Sequence, residues 1–220
     1  AAADVAVEPI VRVDVNPSDG IIRAAKETHA NVVVSGWGGK RKASDQLFGS
    51  VIERLVEGCP PRLFICHLVR PLNTTRCVRV LAPPLAGRRS DLPAVVREAT
   101  AFSAQIGAGL CVYLSGGDQE PIRRVFEKQR SARPVNFART ENWVEARTRL
   151  LADTGPDDLL LALAERRNGL LWTPTMDKLS ALLRTRCPDN NLVLAYPALT
   201  SFVEEERAEI ADPVTDTPGV

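Results

Sequence analysis

The sequence predicts an α/β protein built on an open parallel sheet that helices cover on both faces. Three observations support this fold class. Short runs of valine and leucine have the length of strands, amphipathic stretches of helical length alternate with them, and glycines and prolines separate the two kinds of segment. Strands that alternate with helices pair in parallel through right-handed crossovers, so this repeated order leads to a parallel sheet.

The N-terminal part of the chain predicts three strands and two helices. The all-valine run 32–34 is typical of a strand covered on both faces, and Pro60 and Pro61 end the helix before them. The predicted order is a valine-rich strand over 5–15, a helix capped within 16–19 and ending at His29, a strand over 31–35, a glycine-rich loop over 36–48, a helix over 50–58, and a strand over 63–68.

From Arg76 the pattern starts again and predicts five strands with the helices between them. The predicted strands cover 77–84, 109–114, 134–138, 157–163 and 192–196, and the predicted helices cover 91–106, 119–130, 141–151 and 174–184. Ser90 and Pro93 open the first of these helices. From Thr200 onward an acidic, proline-containing tail predicts a short helix that fades into disorder.

The two parts of the chain are related by an internal duplication. Cys187 follows Cys59 by 128 residues, Leu159 follows Val32 by 127, and both members of each pair occupy similar positions in the pattern. We therefore expect a division into residues 1–71, residues 72–199 and a tail over 200–220. The glycines are not duplicated, because Gly49 and Ser50 correspond to Asp177 and Lys178.

Composition argues against several classes of protein. With 28 basic and 27 acidic residues, a net charge of +1 argues against a nucleic-acid-binding protein. Five widely spaced cysteines without a C-x-x-C pair indicate neither a disulfide framework nor a zinc site, which favours a reducing, cytoplasmic setting. No apolar run approaches the ~20 residues that span a bilayer, so the chain as given is expected to be soluble.

Catalytic and metal-binding residues are not predicted. His29 and His67 are the two histidines, and neither has a cysteine or carboxylate cluster at ligand spacing. No G-x-S-x-G sequence is present, so we expect no catalytic residue, no metal and no enzyme activity.

The glycine-rich stretch predicts an anion-binding site. It does not match a Walker A loop, because Arg41 replaces the Ser/Thr that follows the lysine, nor a dinucleotide fingerprint, because Arg41 also replaces its last glycine. The pattern present is G-x-x-G, nine residues and G-S, filled by Gly36, Gly39, Gly49 and Ser50. Each glycine alone is also compatible with a tight turn or close helix packing.

A phosphate held by this loop would meet free backbone N–H groups and the positive end of the following helix dipole. Ser50 would add a hydroxyl donor. Lys40, with its neighbours Arg41 and Lys42, would supply charge, although a basic triplet in a loop is often merely solvated.

These residues resemble the ATP-binding motif of the universal stress protein family, and Val51 with the amphipathic helix that follows it is similar too. The run over 45–53 and the link over 71–84 further resemble the cytosolic C-terminal tail of bacterial cation:proton antiporters with tandem domains of this family. The resemblance implies a regulatory module that binds ATP or another adenine nucleotide, at the cytosolic face of the inner membrane. Its implied partners are a transmembrane transporter domain of the same parent chain and a homodimer or pseudo-dimer of repeats, without nucleic acid.

The family's strand order, 3-2-1-4-5, has a structural consequence for this chain. The first repeat begins at its third strand, so the two strands between the third and the fourth are missing. We expect the exposed edge of this half to be covered either by a segment upstream of Ala1 or by the second repeat, through the strands at Leu63 and Leu192. In the second repeat Pro83 and Pro84 stand where the family has an adenine-contacting aspartate, so we expect that repeat to be structural. The alternatives are a purely structural dimerisation module and, third, a slow nucleotide hydrolase.

Overall fold

The computed structural model describes residues 5–37, 50–116, 119–129, 134–169 and 171–199. These residues form one seven-stranded sheet with helices on both faces, which confirms the α/β class and the open, mostly parallel sheet. Within the described ranges, none of the helices combines the length and the apolar character needed to cross a membrane. The predicted tail over 200–220 and most of the glycine-rich loop lie outside the described residues.

The sheet has the strand order β1-β2-β7-β6-β3-β4-β5. All neighbours pair in parallel except β2 and β7, which are antiparallel. Among β3 to β7 the order is third, second, first, fourth and fifth, as the family resemblance implies, and β1 and β2 extend the sheet beyond the fifth. The strands are β1 (Val32–Gly36), β2 (Arg62–His67), β3 (Cys77–Ala82), β4 (Gly109–Ser115), β5 (Val135–Thr140), β6 (Asp158–Leu163) and β7 (Asn191–Tyr196).

Two hydrophobic cores lie on the two faces of this sheet. One packs Leu55, Leu150 and Leu183 from α2, α5 and α7 against the strands, and the other packs Val95 and Phe126 from α3 and α4. The helices are α1 (Pro17–Glu27), α2 (Ser50–Gly58), α3 (Leu92–Gln105), α4 (Gln119–Lys128), α5 (Trp143–Asp153), α6 (Pro174–Asp177) and α7 (Leu179–Arg186). The single predicted helix over 174–184 is therefore two helices, with a break at Lys178.

The antiparallel contact between β2 and β7 joins the two parts of the chain. Leu63 pairs with Tyr196 and His67 pairs with Leu192, so the strands predicted to make this contact do make it. Since β1 and β2 are parallel, α2 runs from the carboxyl end of β1 back to the amino end of β2. The carboxyl ends of β1 and β2 therefore lie at one end of the sheet, and those of β6 and β7 at the other.

Helix starts agree with the sequence where a side chain caps them. Asn16 accepts a hydrogen bond from the Asp19 N–H at 3.0 Å and caps α1, as predicted. The helix ends at Glu27, and His29 adopts a positive φ of 48° instead of extending it. For α3 the N-cap position is Asp91 rather than Ser90, and the Asp91 side chain pairs with Arg89 instead of capping.

The prediction of a strand over 5–15 is wrong. This segment makes no ladder with any described strand, although its alternating valines have strand periodicity. Arg12 and Asp14 on its other side pair with Glu27 and Arg23 of α1. The valine side faces solvent, with exposed fractions between 68% and 101% for Val5, Val7, Val11, Val13 and Val15.

The prediction that the strand over 31–35 is covered on both faces is also wrong. Among the described strands, β1 forms one edge of the sheet and pairs with β2 alone. Val33 packs on the core of α2, whereas Val34 points the other way and is 67% exposed. A run of apolar residues reports a buried strand only if the sheet continues beside it and layers lie on both faces.

Candidate nucleotide-binding site

The candidate site begins where β1 ends, at Gly36. A Cβ added to Gly36 would meet no described atom within 4 Å, and the residue is not among those with positive φ. Within the described residues, neither crowding nor backbone conformation therefore requires glycine here. Among the described residues, nothing blocks a ligand from approaching the backbone at Gly36.

Trp37 anchors the start of the loop. Its N–H donates to the Cys66 carbonyl at 2.7 Å, and its carbonyl lies 3.0 Å from His67 Nδ1. The indole ring is buried, lies tilted against the His67 ring at 5.5 Å between centroids, and contacts the Arg184 guanidinium at 4.7 Å. These contacts fix the direction in which the chain leaves the sheet after Gly36. The His67 side chain contacts both the carbonyl and the ring of Trp37, which gives this histidine a structural role.

The other end of the loop is the first turn of α2. Ser50 is the first residue of this helix, and Val51 is half-buried against the core of α1, α2 and α7. The N–H groups of the first turn have no partners within the helix, and the dipole concentrates positive potential there. Because α2 returns from the carboxyl end of β1, this turn lies at the same end of the sheet as Gly36.

The structure thus brings together the two ends of the predicted motif. Gly36, Ser50 and Val51 occupy the carboxyl end of the edge strand and the helix start that follows it. Gly39, Lys40 and Gly49 lie outside the described residues.

The loop after β6 holds the corresponding position in the second part of the chain, and it contains the buried Arg166. Arg166 is 4% exposed, and burial lowers the pKa of its guanidinium. It donates to the carbonyl oxygens of Pro197 at 2.7 Å and Pro61 at 3.1 Å, and also to that of Val56. The guanidinium therefore ties this loop to the last turn of α2 and to the segment after β7.

Arg89, in the loop after β3, also donates to backbone carbonyls near the ends of β6 and β7. Its guanidinium donates to the carbonyls of Ala164 at 2.7 Å and Ala195 at 3.3 Å, and forms a bidentate pair with Asp91 at 2.9 Å. The sequence analysis missed both arginines, because arginine in a loop is usually solvated and the sequence does not show which carbonyls need donors. Pro83, at the end of β3, is buried beside this region.

Ionisable groups elsewhere do not form an evident catalytic set. Burial raises the pKa of the thiols of Cys59, Cys66, Cys111 and Cys187, and it raises that of Cys77 to about 11. A thiol with a raised pKa is a weak nucleophile at neutral pH. In the part of the chain that the structure describes, no group of three or more His, Cys, Asp or Glu side chains could hold a metal ion. That the chain is not an enzyme stays a prediction.

Comparison with known proteins gives a family match and a shared fold. Residues 1–67 match the model of the universal stress protein family. A universal stress protein from Archaeoglobus fulgidus DSM 4304 superposes with a TM-score of 0.54 at 14% identity, over 81% of this chain and 66% of that chain. A functionally unknown protein from Pseudomonas aeruginosa PAO1 also gives 0.54, at 11% identity, over 90% of this chain and 74% of that chain. No match was found among curated proteins.

At these identities the likeness to the solved structures shows the fold alone. The chain spans about two thirds of the length of the Archaeoglobus protein. It therefore has the fold of a universal stress protein and matches that family over its first 67 residues.

Proposed function

We propose that the chain is a regulatory module that binds an adenine nucleotide of the ATP type at the loop between β1 and α2. The observation that carries the proposal is that no described atom lies within 4 Å of a Cβ placed at Gly36, at the end of the sheet where α2 begins. A glycine without a steric or conformational reason, placed beside a helix N-terminus, leaves room for a phosphate and supplies donors to bind it. The family match covers the same residues.

The adenine side of the site needs structure that the described residues do not contain. Universal stress proteins, which this stretch resembles, contact adenine from their first two strands, and β1 has no neighbour at its outer edge. We therefore expect nucleotide affinity to be weak in the 220-residue chain and stronger in a longer parent chain that supplies those strands.

The proposed parent is a monovalent cation:proton antiporter, with this module on the cytosolic side of the membrane. The support is the resemblance of the segments over 45–53 and 71–84 to antiporter tails. Reading the coding sequence upstream of Ala1 tests this part of the proposal. An upstream sequence that encodes hydrophobic, membrane-spanning segments supports the proposal, and one that encodes none contradicts it.

Nucleotide binding is tested by calorimetry on the parent chain with ATP, ADP, AMP and cyclic dinucleotides. The informative variants are Gly36→Ala and Ser50→Ala, each expected to weaken binding about tenfold or more. The first places a methyl group where the ligand would approach the backbone, and the second removes a hydroxyl donor to a charged group. Because a Cβ at Gly36 meets no described atom, Gly36→Ala should leave the melting temperature almost unchanged. Ser90→Ala, at an exposed serine before α3, is the matched control and should bind like the wild type.

Binding that is unaffected by both variants would contradict the assignment of this loop. The absence of any ligand-dependent heat or thermal stabilisation in the parent chain would overturn the proposal as a whole, because a ligand that binds the native state must stabilise it.

A second candidate function is a purely structural dimerisation module. Two features favour it: the free edge of β1 and the exposed valine side of residues 5–15. Unpaired strand edges and exposed apolar surfaces promote association with another chain. The triple substitution of Val11, Val13 and Val15 by threonine should then shift the chain from dimer to monomer in light scattering, whereas Gly36→Ala should not.

A further inference from the structure

A second cleft lies at the opposite end of the sheet from the glycine loop. It has a volume of about 620 Å³, within the range of small-molecule sites. Its walls are the face of α2 around Val56, the loop after β6, the start of α7, and the end of β7. Because α2 runs away from the glycine loop, this cleft meets the carboxyl half of the helix, about one strand length from Gly36.

The charges on the cleft wall leave a negative excess. Glu53 and Glu57 project from α2 four residues apart, and neither has an ion-pair partner among the described residues. The Arg166 guanidinium donates to backbone carbonyls, and Arg167 pairs with Asp177 at 3.2 Å.

In all, the wall carries four carboxylates, Glu53, Glu57, Glu165 and Asp177, and three bases, Arg166, Arg167 and Lys178, which leaves a net charge of −1. The carboxyl end of a helix dipole adds negative potential on the same side.

Two hydroxyl groups in the same cleft lack partners. Tyr196 is 8% exposed and Ser180 is 4% exposed, and both line the cleft. Neither hydroxyl makes a hydrogen bond within the described part of the chain, although their residues are more than nine-tenths buried. Both oxygens are open to the cleft rather than enclosed in protein, so a molecule bound there can hydrogen-bond to them.

The wall also has an apolar part. Val56, Met176 and Leu199 contribute it. A ligand with a short aliphatic body would contact these side chains while its polar ends reach the carboxylates and the hydroxyl oxygens. A hydroxyl oxygen accepts a hydrogen bond from an ammonium group as readily as it donates one.

We propose that this cleft binds a small organic cation, a primary amine with a short aliphatic chain. Its ammonium group lies between Glu53 and Glu57, and the Tyr196 and Ser180 hydroxyl groups bind the other polar end of the molecule. An anionic ligand is disfavoured, because it would face a wall with four carboxylates and three bases.

The test uses the 220-residue chain and three probes of equal length in calorimetry: 1,4-diaminobutane, 1,4-butanediol and succinate. We expect the diamine to bind with a stoichiometry of one, and the neutral diol and the dianion to bind at least about tenfold more weakly, since charge is the main difference between them. Diamine affinity should fall with added salt, because the two carboxylates are partly solvated.

Variants assign the binding to this cleft. Glu53→Gln with Glu57→Gln should weaken diamine binding about tenfold or more, and Tyr196→Phe should weaken it several-fold without loss of the aromatic packing. Glu120→Gln removes an exposed carboxylate on α4, across the sheet, and is the matched control that should bind like the wild type.

Near-UV circular dichroism confirms that each variant is folded. Absence of diamine binding, tighter binding of succinate, or diamine binding unchanged in the Glu53/Glu57 double variant overturns the proposal. Nucleotide binding at the glycine loop is unaffected by these outcomes, since none of the substituted residues lies in that loop.

Discussion

Arg166 shows how much one buried side chain determines the contact between the two parts of the chain. Its guanidinium, from the loop after β6, binds the carbonyls of Val56 and Pro61 in the first part and of Pro197 in the second. The last carbonyls of a helix have no partner within the helix, and a buried cation supplies donors to several of them at once.

Arg166→Ala should therefore lower the free energy of unfolding by about 3 kcal/mol, because it leaves several buried carbonyls without donors. Urea unfolding measures this change. Arg167→Ala is the matched control, since its exposed pair with Asp177 contributes at most about 1 kcal/mol. Equal effects of the two substitutions would contradict the role of Arg166.

Glu165 makes stability depend on pH. Burial raises the pKa of its carboxyl, while the Arg166 N–H, at 2.9 Å, and nearby arginines oppose that rise. A carboxyl whose pKa is higher in the folded state than in the unfolded state binds a proton more tightly when folded. Its contribution is therefore present below the unfolded pKa, about 4.3, and is lost as the pH rises through the folded pKa.

Glu165→Gln, which keeps an acceptor for the Arg166 N–H, should gain stability over the wild type between pH 4 and pH 7. Urea unfolding at both pH values measures the difference, and the gain should be larger at pH 7. Glu120→Gln, at an exposed carboxylate, should show no such pH-dependent gain. If the difference in unfolding free energy between Glu165→Gln and the wild type were constant across this range, the pKa of the Glu165 carboxyl would not be raised in the folded state.

Among the elements, β2 is the strand that lies between the two parts of the chain, with β1 on one side and β7 on the other. Ile65 is fully buried, pairs with Leu194 across the antiparallel contact, and packs in the core beneath α2 and α7. Ile65→Ala should cost about 2–5 kcal/mol in unfolding free energy. Val34→Ala on the exposed side of β1 should cost well below that, and thermal and urea unfolding of the two variants provide the comparison. Similar losses would mean that β1 is covered on both faces after all.

Most strands and helices were predictable from the sequence, but the elements that each one pairs with or packs against were not. The strands from β2 to β7 and the start of α1 follow from apolar runs and the Asn16 cap, which are local signals. Periodicity cannot report whether a partner strand exists, and so residues 5–15 have strand alternation without a ladder. The break at Lys178 and the buried arginines depend on contacts with distant segments, which local sequence does not contain.

The candidate nucleotide site could be located from glycine spacing alone, because that spacing describes a loop between a strand and a helix. The structure places Gly36 and Ser50 at the same end of the sheet. The cleft lined by Tyr196 and Ser180 could not be foreseen, because its wall combines residues from α2 with residues more than a hundred positions later.

At the scale of the whole molecule, one continuous sheet predicts a single cooperative transition. β2 and β7 share a ladder, so the two parts should not unfold separately. The double variant Trp143→Phe and Trp172→Phe leaves Trp37, in the first part, as the remaining tryptophan. Its fluorescence and the far-UV circular dichroism of the whole chain should then give the same midpoint in urea, and separate midpoints would show independent units.

The antiparallel junction also gives the molecule two poles. Strands of six residues are about 20 Å long. A label near Ser50 and a label near Lys178 would therefore lie at opposite ends of the sheet, separated by about the length of its strands. Attachment of one pole to a surface, such as a bead or a membrane-bound partner, leaves the other pole facing outward. Spectroscopic distance measurements between labels at these two poles would therefore report a structural change at either end as a change in the distance between the labels.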